Sequence, residues 1–311
     1  MSYAPWQPIS LRLGSIPVSD QLFDDTQPRS AGRLRDSTFG RIIREPMGAL
    51  GITLVVLIVL GALFAGFTGY NPAKLAMRER FLDPSLSHLF GTDHLGRDLF
   101  TRVLFGARIA LGVASIATSI SFIGGLLLGM IAGYGPRWLD SLLLLFFDSL
   151  RSFPTVMLAL ALVTLTGPSL GAVILVVVLA MLPGYARVVR AQTMSLKSSE
   201  FVLSARTLGA RPWRILAVHI MPNLIGPLVI LVSMDIPVVI TIEAGMSFLG
   251  LGVRPPTPSW GSILNDGYAF IRESSWPAIA GGLPIIIATL GFTFLGETLR
   301  DHLDPRLRRD G

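Results

Sequence analysis

Long stretches without a single charged residue constrain this chain more than any other feature. Three of them, residues 47–67, 109–133 and 276–295, have the length of one membrane-spanning helix. About 20 apolar residues are enough to cross the roughly 30 Å of hydrocarbon in a bilayer. Only 15% of the 311 residues are charged, whereas an ordinary soluble domain has about 25%. The sequence therefore predicts an all-α membrane protein.

The fourth uncharged stretch, residues 152–186, is too long to be one span. As a single helix its 35 residues would extend about 52 Å. The sequence TGPSLG at 166–171 contains the strongest turn formers, Gly and Pro, and divides the stretch into two helices. The first of these is short, so we expect it to begin near Ser141. With a further apolar span over 222–249, the sequence predicts six transmembrane helices.

The distribution of positive charge predicts how these spans are oriented. Six spans place both termini on the same side of the membrane. The tails and loops on that side hold 17 of the 26 lysines and arginines, and the loops on the opposite side hold eight. Because cytoplasmic loops are enriched in Lys and Arg, we expect both termini in the cytoplasm. The net charge of +6 then reflects membrane orientation, and we expect no nucleic-acid partner. Residues 1–46, which resemble no cleavable signal, and 299–311 are predicted cytoplasmic tails, the first of them disordered.

Residues 198–222, which we call the elbow, separate the fourth and fifth spans by far more chain than a turn needs. An apolar stripe with helical spacing consists of Phe201, Ala205 and Leu208. Gly209 follows at the position where helices commonly end in a left-handed residue. A second short helix is expected over 213–221, because Pro212 suits the first turn of a helix. The flanking arginines are Arg206, Arg211 and Arg214.

Two interpretations of the elbow fit this pattern. A basic amphipathic helix rests on anionic lipid at the membrane surface. Alternatively, an amphipathic helix inserts its apolar side into a groove on a cytoplasmic protein. Both require an apolar stripe flanked by positive charge, so the pattern alone does not separate them.

The elbow also resembles the EAA loop of ATP-binding-cassette (ABC) importer permeases. Leu203-Ser204-Ala205 stand at the Glu-Ala-Ala positions, Gly209 matches the family glycine, and 219–222 stand where Ile-x-Leu-Pro is expected. The usual glutamate and isoleucine are missing. Three longer stretches resemble, nearly residue for residue, the second permease subunit of dipeptide, oligopeptide and nickel importers. These are GTDHLGRDLFTRVLFGARIAL (91–111), SFLGLGVRPPTPSWGSILNDG (247–267) and LGETLRDHLDPRLR (295–308).

This resemblance implies a type I ABC importer permease fold, with a permease core over 109–298. It implies a bacterial inner-membrane importer in which the chain pairs with a homologous permease, two ABC ATPases and an extracytoplasmic binding protein. The implied cargo is a di- or oligopeptide, with glutathione or a nickel chelate as alternatives. The elbow would dock into the ATPase through Phe201, Ala205, Arg206, Leu208, Gly209, Ala210 and Arg211.

The sequence also predicts that the chain is not itself an enzyme. It has no G-x-x-x-x-G-K-[ST] motif, so it lacks the loop with which P-loop proteins hold ATP phosphates. We therefore expect ATP and Mg²⁺ on the partner ATPases and no cofactor on this chain. None of the predicted spans contains His or Cys, which disfavours an intramembrane enzyme with a nucleophile and base.

Four charged residues fall within the predicted spans, where charges are costly and by default suggest function. Asp148 and Arg151 are three residues apart on one helix face, which predicts a structural ion pair. Asp235 and Glu243 lie about 80° apart around the fifth helix. Either they line the substrate path, or they hydrogen-bond to neighbouring helices or to a partner subunit and fix packing. In a rival interpretation they are the coupling acids of an ion-driven secondary transporter.

The predicted outer loop, residues 68–108, raises two further questions. His88 and His94 lie near acidic residues, but their spacing matches no helix face, so we predict no metal site. The segment LGRDLFTRVLFGAR (95–108) is expected to form an amphipathic helix that lies on the outer leaflet. Trp260 and Tyr268, in a later outer loop, suit the headgroup zone.

Overall fold

The computed structural model describes residues 42–303, which are almost entirely helical. The helices are α1 Pro46–Phe64, α2 Leu99–Tyr134, α3 Arg137–Arg151, α4 Thr155–Thr166, α5 Leu170–Lys197, α6 Glu200–Thr207, α7 Pro212–Phe248, α8 Trp260–Ala269 and α9 Trp276–Leu303. Short 3₁₀ turns occupy Ala65–Phe67 and Met77–Glu79. The predicted tails over 1–41 and 304–311 lie outside the described residues.

Membrane-spanning helices account for most of the described chain. Five of them (α1, α2, α5, α7 and α9) are long and apolar enough to cross a bilayer, and the bent pair α3–α4 makes a sixth if it is counted as one span. The predicted turn at 166–171 is confirmed, because α4 ends at Thr166 and Gly167 has a φ of +78°. Ser169 caps α5 by accepting a hydrogen bond from Ala172 N. The prediction of an all-α membrane protein is confirmed.

The third predicted span differs from our expectation of one helix from Ser141. It is broken between α3 and α4, which meet at 90°. Pro154 explains the break, because proline offers no N–H inside a helix and favours an extended residue before it. At 12 residues, α4 extends only about 18 Å, less than the thickness of the hydrocarbon core.

The segment expected to be a separate interfacial helix, residues 95–108, is also different. Most of it belongs to α2, which continues without a break for 36 residues. Leu99 and Val103 are buried against Ile263 of α8. The indole Nε1 of Trp260 donates to Val103 O at 2.9 Å. This part of α2 is therefore covered by protein, and Trp260 is a core residue instead of a headgroup anchor.

The closest helix packing joins α2 to α5. Three glycines at intervals of four residues, Gly125, Gly129 and Gly133, face α5. A β-carbon at Gly129 would overlap the Ala186 carbonyl, and one at Gly133 would overlap the Arg190 carbonyl. Small residues at this spacing let two membrane helices approach at backbone distance. This contact makes α2 the central helix, around which α1, α3, α7, α8 and α9 also pack.

The elbow lies at the end of the bundle where α2 and α5 finish and α7 begins. Lys197, the last residue of α5, donates to the carbonyl of Tyr134, the last residue of α2, at 2.8 Å. We call the opposite end, which carries residues 68–98 and α8, the outer end. The chain thus separates the elbow and the outer end by the length of the spanning helices.

Candidate coupling elbow and translocation cavity

The first half of the elbow is α6, a helix of eight residues. Gly209 follows it with a φ of +82°. Its N–H donates to Arg206 O at 3.0 Å, and the N–H of Ala210 donates to Ala205 O at 3.0 Å. These bonds satisfy carbonyls that the helix end would otherwise leave unpaired. The predicted left-handed glycine is confirmed, and it turns the chain sharply toward α7.

The second half of the elbow is not a separate short helix over 213–221. It forms the start of α7, and a π-helical turn at Ile215–Ile220 joins it to the span. Met221 N–H donates to Leu216 O, five residues earlier. The π turn changes the hydrogen-bond register directly ahead of Pro222, which has no N–H to contribute. The elbow therefore continues into a spanning helix without a flexible linker.

The elbow has one face attached to the bundle and one face exposed. Val202 is fully buried and packs with Ile215 and Ile220 in the core between α2, α5 and α7. Three large apolar residues of the elbow are exposed: Leu208 is 87%, Trp213 is 65% and Phe201 is 45% accessible. Of the predicted stripe, Phe201 and Leu208 are exposed, whereas Ala205 is half-buried. Trp213 enlarges the exposed apolar surface and was not part of the predicted stripe.

The arginines of the elbow are exposed, and none of them forms an ion pair within residues 42–303: Arg206, Arg211 and Arg214. Arg206 Nη2 donates to the Tyr134 hydroxyl at 3.3 Å, and its guanidinium lies 5.9 Å from the ring centre. The Lys197 ammonium lies 5.1 Å from the same ring centre. Tyr134 thereby links the elbow to the ends of both α2 and α5.

A cavity of about 560 Å³ lies between the α3–α4 bend, α5 and α7. Its charged lining residues are Arg151, Arg187 and Asp235. Tyr185 is beside Asp235 and has a buried hydroxyl that makes no hydrogen bond of good geometry within the described chain. Most of the wall is apolar and includes Phe153, Leu158, Met181 and Leu231.

The predicted ion pair between Asp148 and Arg151 is replaced by pairs between helices. Asp148 pairs with Arg187 of α5. One turn further along α5, Arg190 Nη2 donates to Asp140 at 2.6 Å. Both acids of α3 thus face the arginines of α5, which leaves Arg151 free to line the cavity.

Asp235 and Glu243 do not face the same space. Glu243 is fully buried, and its Oε1 accepts a hydrogen bond from Ser247 at 2.8 Å. It lies near Ser259, the N-cap residue of α8. The angle between the two residues around α7 turns Asp235 toward α5 and Glu243 toward α8. Asp235 therefore lines the cavity, whereas Glu243 lies within the helix packing.

Four charged side chains form the outer charge network at the outer end: Asp93, Arg97, Arg102 and Asp266. Arg97 Nε donates to Asp93 Oδ2 at 2.6 Å, and its Nη2 donates to Asp266 Oδ2 at 3.1 Å. Arg102 Nε lies 3.5 Å from Asp93 Oδ2. Potential ligand atoms of Asp93, His94 and Asp266 lie within 4.8 Å of one another. The arginines already supply the positive charge to these carboxylates, so the described residues fit an ion-pair network.

The comparison with protein families decides the identity of this fold. Residues 125–309 match the family described as "binding-protein-dependent transport system inner membrane component". The chain belongs to this family. It is an ABC importer permease of type I fold, and its helices make it a multi-pass membrane protein.

Similar permeases are named as peptide or glutathione transport proteins. The dipeptide transport system permease protein DppC of Alkalihalophilus pseudofirmus is 36% identical over 271 residues, which cover 87% of this permease and 89% of that protein. The glutathione transport system permease protein GsiD of Escherichia coli is 38% identical over 270 residues, with coverage of 86% and 89%. The di/tripeptide transport system permease protein DppC of Pseudomonas aeruginosa is 36% identical, with coverage of 84% and 89%.

A solved structure supports the fold of the permease. A chain of the MetNI methionine ABC transporter, in an inward-facing conformation, superposes with a TM-score of 0.54 at 17% identity. It covers 65% of this permease and 96% of its own length. Helices in the permease therefore follow the arrangement of an ABC transporter even where the two sequences differ.

Sequence reasoning missed three residues at the permease's candidate sites. Tyr134 and Trp213 belong to the elbow contacts, and Arg187 replaces Arg151 as the partner of Asp148. A signal was available for Trp213, since it directly follows Pro212 in a basic segment. Tyr134 and Arg187 lie far from their partners along the chain, and only the close approach of α2 and α5 brings them into place.

Proposed function

We propose that this permease is a subunit of an ATP-driven importer that carries di- or oligopeptides across a bacterial inner membrane, with both termini in the cytoplasm. Its partners are a homologous permease, two ABC ATPases that bind ATP and Mg²⁺, and an extracytoplasmic binding protein. The names of the similar permeases support a peptide cargo. Glutathione, itself a tripeptide, is the second candidate because a similar permease is named for it.

The observation that carries this proposal is the two-faced elbow. Val202 fixes one face to the bundle, while Phe201, Leu208 and Trp213 leave an apolar surface uncovered. The exposed arginines beside it give the surface a positive rim. An amphipathic helix of this kind fits a groove on a partner protein. The fixed face supports docking on a protein, because a surface that transmits movement has to be rigidly attached to what it moves.

The geometry suggests how an ATPase movement reaches the spanning helices. A push on α6 acts directly on α7, because only the tight turn at Gly209 separates the two helices, and the π turn continues the start of α7 into its spanning part. It also acts on α2 and α5 through Arg206, Tyr134 and Lys197. Binding of ATP would close the ATPase pair, move the elbow and open the bundle toward the binding protein. Hydrolysis would reset it.

Substitution of Leu208 by Glu tests the docking surface. We expect Leu208→Glu to lower the amount of ATPase subunit that co-purifies with the permease by at least about tenfold, because a charge would be buried in an apolar contact. Leu86→Glu is the matched control, since Leu86 is fully exposed at the outer end. Normal co-purification and normal peptide uptake by Leu208→Glu would contradict the proposal.

The energy source separates this proposal from an ion-driven secondary transporter. In proteoliposomes that contain the assembled transporter, we expect dipeptide uptake to require ATP on the side of the membrane where the elbow lies. We expect uptake to continue when a protonophore is added. Uptake that ignores ATP and stops with the protonophore would establish the secondary transporter.

The absence of cysteine from the sequence allows a direct test of orientation. Arg211→Cys and Leu86→Cys place single thiols at opposite ends of the bundle. We expect a membrane-impermeant maleimide to label Leu86→Cys in intact spheroplasts and Arg211→Cys only after lysis. The reverse labelling pattern would place the elbow on the outer side of the membrane and contradict the proposal.

A further inference from the structure

We infer that the cavity between the α3–α4 bend, α5 and α7 binds peptides by their two charged ends, with Arg151 holding the peptide carboxylate and Asp235 holding its ammonium group. The inference rests on the proposed function, since it assigns a peptide a place on its path through the permease. It also separates two acids that the sequence pattern had grouped together, because it places Asp235 in the peptide site and leaves Glu243 in the helix packing.

The charge balance of the cavity is the first argument. Of its three charged residues, Arg187 is neutralised by Asp148. Arg151 and Asp235 make no ion pair with any residue between 42 and 303. Charges within a spanning region are costly unless they pair or serve a function. One free cation and one free anion in the same cavity match a zwitterion, which brings one charge of each sign.

The size and lining of the cavity are the second argument. Its volume of about 560 Å³ falls within the roughly 300–1,000 Å³ of typical small-molecule sites. A dipeptide extends about 7 Å and a tripeptide about 10 Å. The apolar wall, with Met181 and Leu231, accepts many side chains because it offers few polar groups that would demand a particular one. Such a site selects a short peptide by its ends and tolerates its sequence.

Tyr185 is the third argument. Its ring is buried, and its hydroxyl lies next to Asp235 without a hydrogen-bond partner of good geometry among the described residues. A buried polar group without a partner is costly and calls for an explanation. A peptide ammonium bound by Asp235 would be within reach of this oxygen. Glu243, by contrast, is fully buried between α7 and α8 and is not among the residues that line this cavity.

Photo-crosslinking tests the site directly. The assembled permease pair with its ATPases would be irradiated without the binding protein, so that the selectivity of the latter does not enter. The probes are alanyl-photoleucine with free termini, its N-acetyl form and its C-terminal amide. We expect adducts on cavity residues such as Phe153, Leu158 and Leu231, with about tenfold lower yields for each blocked probe, since each loses one charge-assisted contact.

Charge-removing variants should abolish this discrimination one end at a time. Arg151→Gln should label equally with the free peptide and its amide, while Asp235→Asn should label equally with the free peptide and its N-acetyl form. Arg151→Lys should retain the preference for a free carboxylate. Arg272→Gln and Asp83→Asn, which change exposed charges at the outer end, are the matched controls and should behave as wild type.

The outcomes separate this inference from the proposed function. Adducts outside the cavity, or equal yields for all three probes in the wild-type complex, would overturn the site even if uptake is driven by ATP. Adducts in the cavity with end-specific discrimination would support the site even if uptake proves independent of ATP, in which case only the proposed function fails. If Arg151→Gln and Asp235→Asn both keep the wild-type discrimination, the assignment of the two ends is wrong.

Discussion

Arginine has opposite surroundings at the two ends of this molecule. At the outer end, Arg97 and Arg102 are 6% and 3% exposed and are bound by Asp93 and Asp266. At the elbow, Arg206, Arg211 and Arg214 are exposed and meet no acid among residues 42–303. The same side chain therefore stabilises the fold where it is buried among acids, and is left available where it is exposed without them.

This difference in pairing reflects the different structural roles of the two ends. The outer charge network connects the 68–98 loop to α2 and α8, since Arg102 also donates to Pro72 O at 3.2 Å. Buried charges are tolerated only when partners and hydrogen bonds compensate their loss of water. The elbow arginines are exposed and pair with no acid among residues 42–303, so they are available to a partner. The outer end should therefore respond to mutation through stability, and the elbow through coupling.

Asp93→Asn should have the largest effect of the substitutions that test this difference between the two ends. The substitution leaves Arg97 and Arg102 buried with less negative charge, so we expect a loss of about 3–5 kcal/mol in the free energy of unfolding. The thermal midpoint of the purified permease in detergent, followed by static light scattering, measures this loss. Asp83→Asn changes an exposed acid of the same loop and should leave the midpoint unchanged. An unaltered midpoint for Asp93→Asn would mean that the network contributes nothing to stability.

Gly209→Val is the corresponding test at the elbow. A β-branched residue at a φ of +82° carries a backbone strain of at least about 1–2 kcal/mol, and the strain would tilt α6 away from its docking position. We expect peptide uptake to fall about tenfold, while the thermal midpoint changes little and ATP hydrolysis no longer follows uptake.

Gly209→Asn is the control for this experiment. Asparagine tolerates the left-handed conformation, and a β-carbon here meets no atom within 4 Å, so we expect nearly normal uptake. Substrate-stimulated ATPase activity and uptake that both stay normal in Gly209→Val would argue against a coupling role for the turn.

Much of the fold could be predicted because bilayer physics leaves few choices. Uncharged runs of 20 or more residues located most of the spans, and the Gly-Pro pair at 167–168 located the turn between α4 and α5. The break at Pro154 was visible in the sequence, but neither its 90° bend nor the pairing of Asp140 and Asp148 with α5 follows from a local pattern. The spacing of Gly125, Gly129 and Gly133 could also have predicted that α2 packs closely against another helix, though not that this helix is α5.

The candidate sites were predictable only where their determinants are local. Gly209 and the exposed Phe201 and Leu208 follow from the pattern of one short helix. The pairing of Asp148 with Arg187 involves residues 39 positions apart, and no helical periodicity specifies it. The separation of Asp235 from Glu243 likewise depends on which neighbour covers each side of α7.

Tyr134→Ala would sharpen the account of the elbow with a smaller effect. The ring lies within about 6 Å of both the Lys197 ammonium and the Arg206 guanidinium, and each cation–π contact is worth about 0.5–1 kcal/mol. We expect uptake to fall about threefold, with an unchanged amount of bound ATPase, because docking persists while transmission to α2 weakens. Tyr134→Phe keeps the ring and should stay close to wild type. A loss of bound ATPase in Tyr134→Ala would show that the residue supports docking instead of transmission.

Glu243→Gln should have the smallest effect. It tests whether a buried acid without a cationic partner contributes to stability as Asp93 does. Unlike Asp93, Glu243 has no cationic partner in the described part of the chain, so its substitution strands no buried arginine. Glutamine keeps the acceptor for Ser247 and brings no charge into this buried site. We expect the free energy of unfolding to stay within about 1 kcal/mol of wild type, with an unchanged profile of transported peptides. A large loss of stability would mean that a buried carboxylate matters here even without a cation, and an altered peptide profile would place Glu243 on the substrate path beside Asp235.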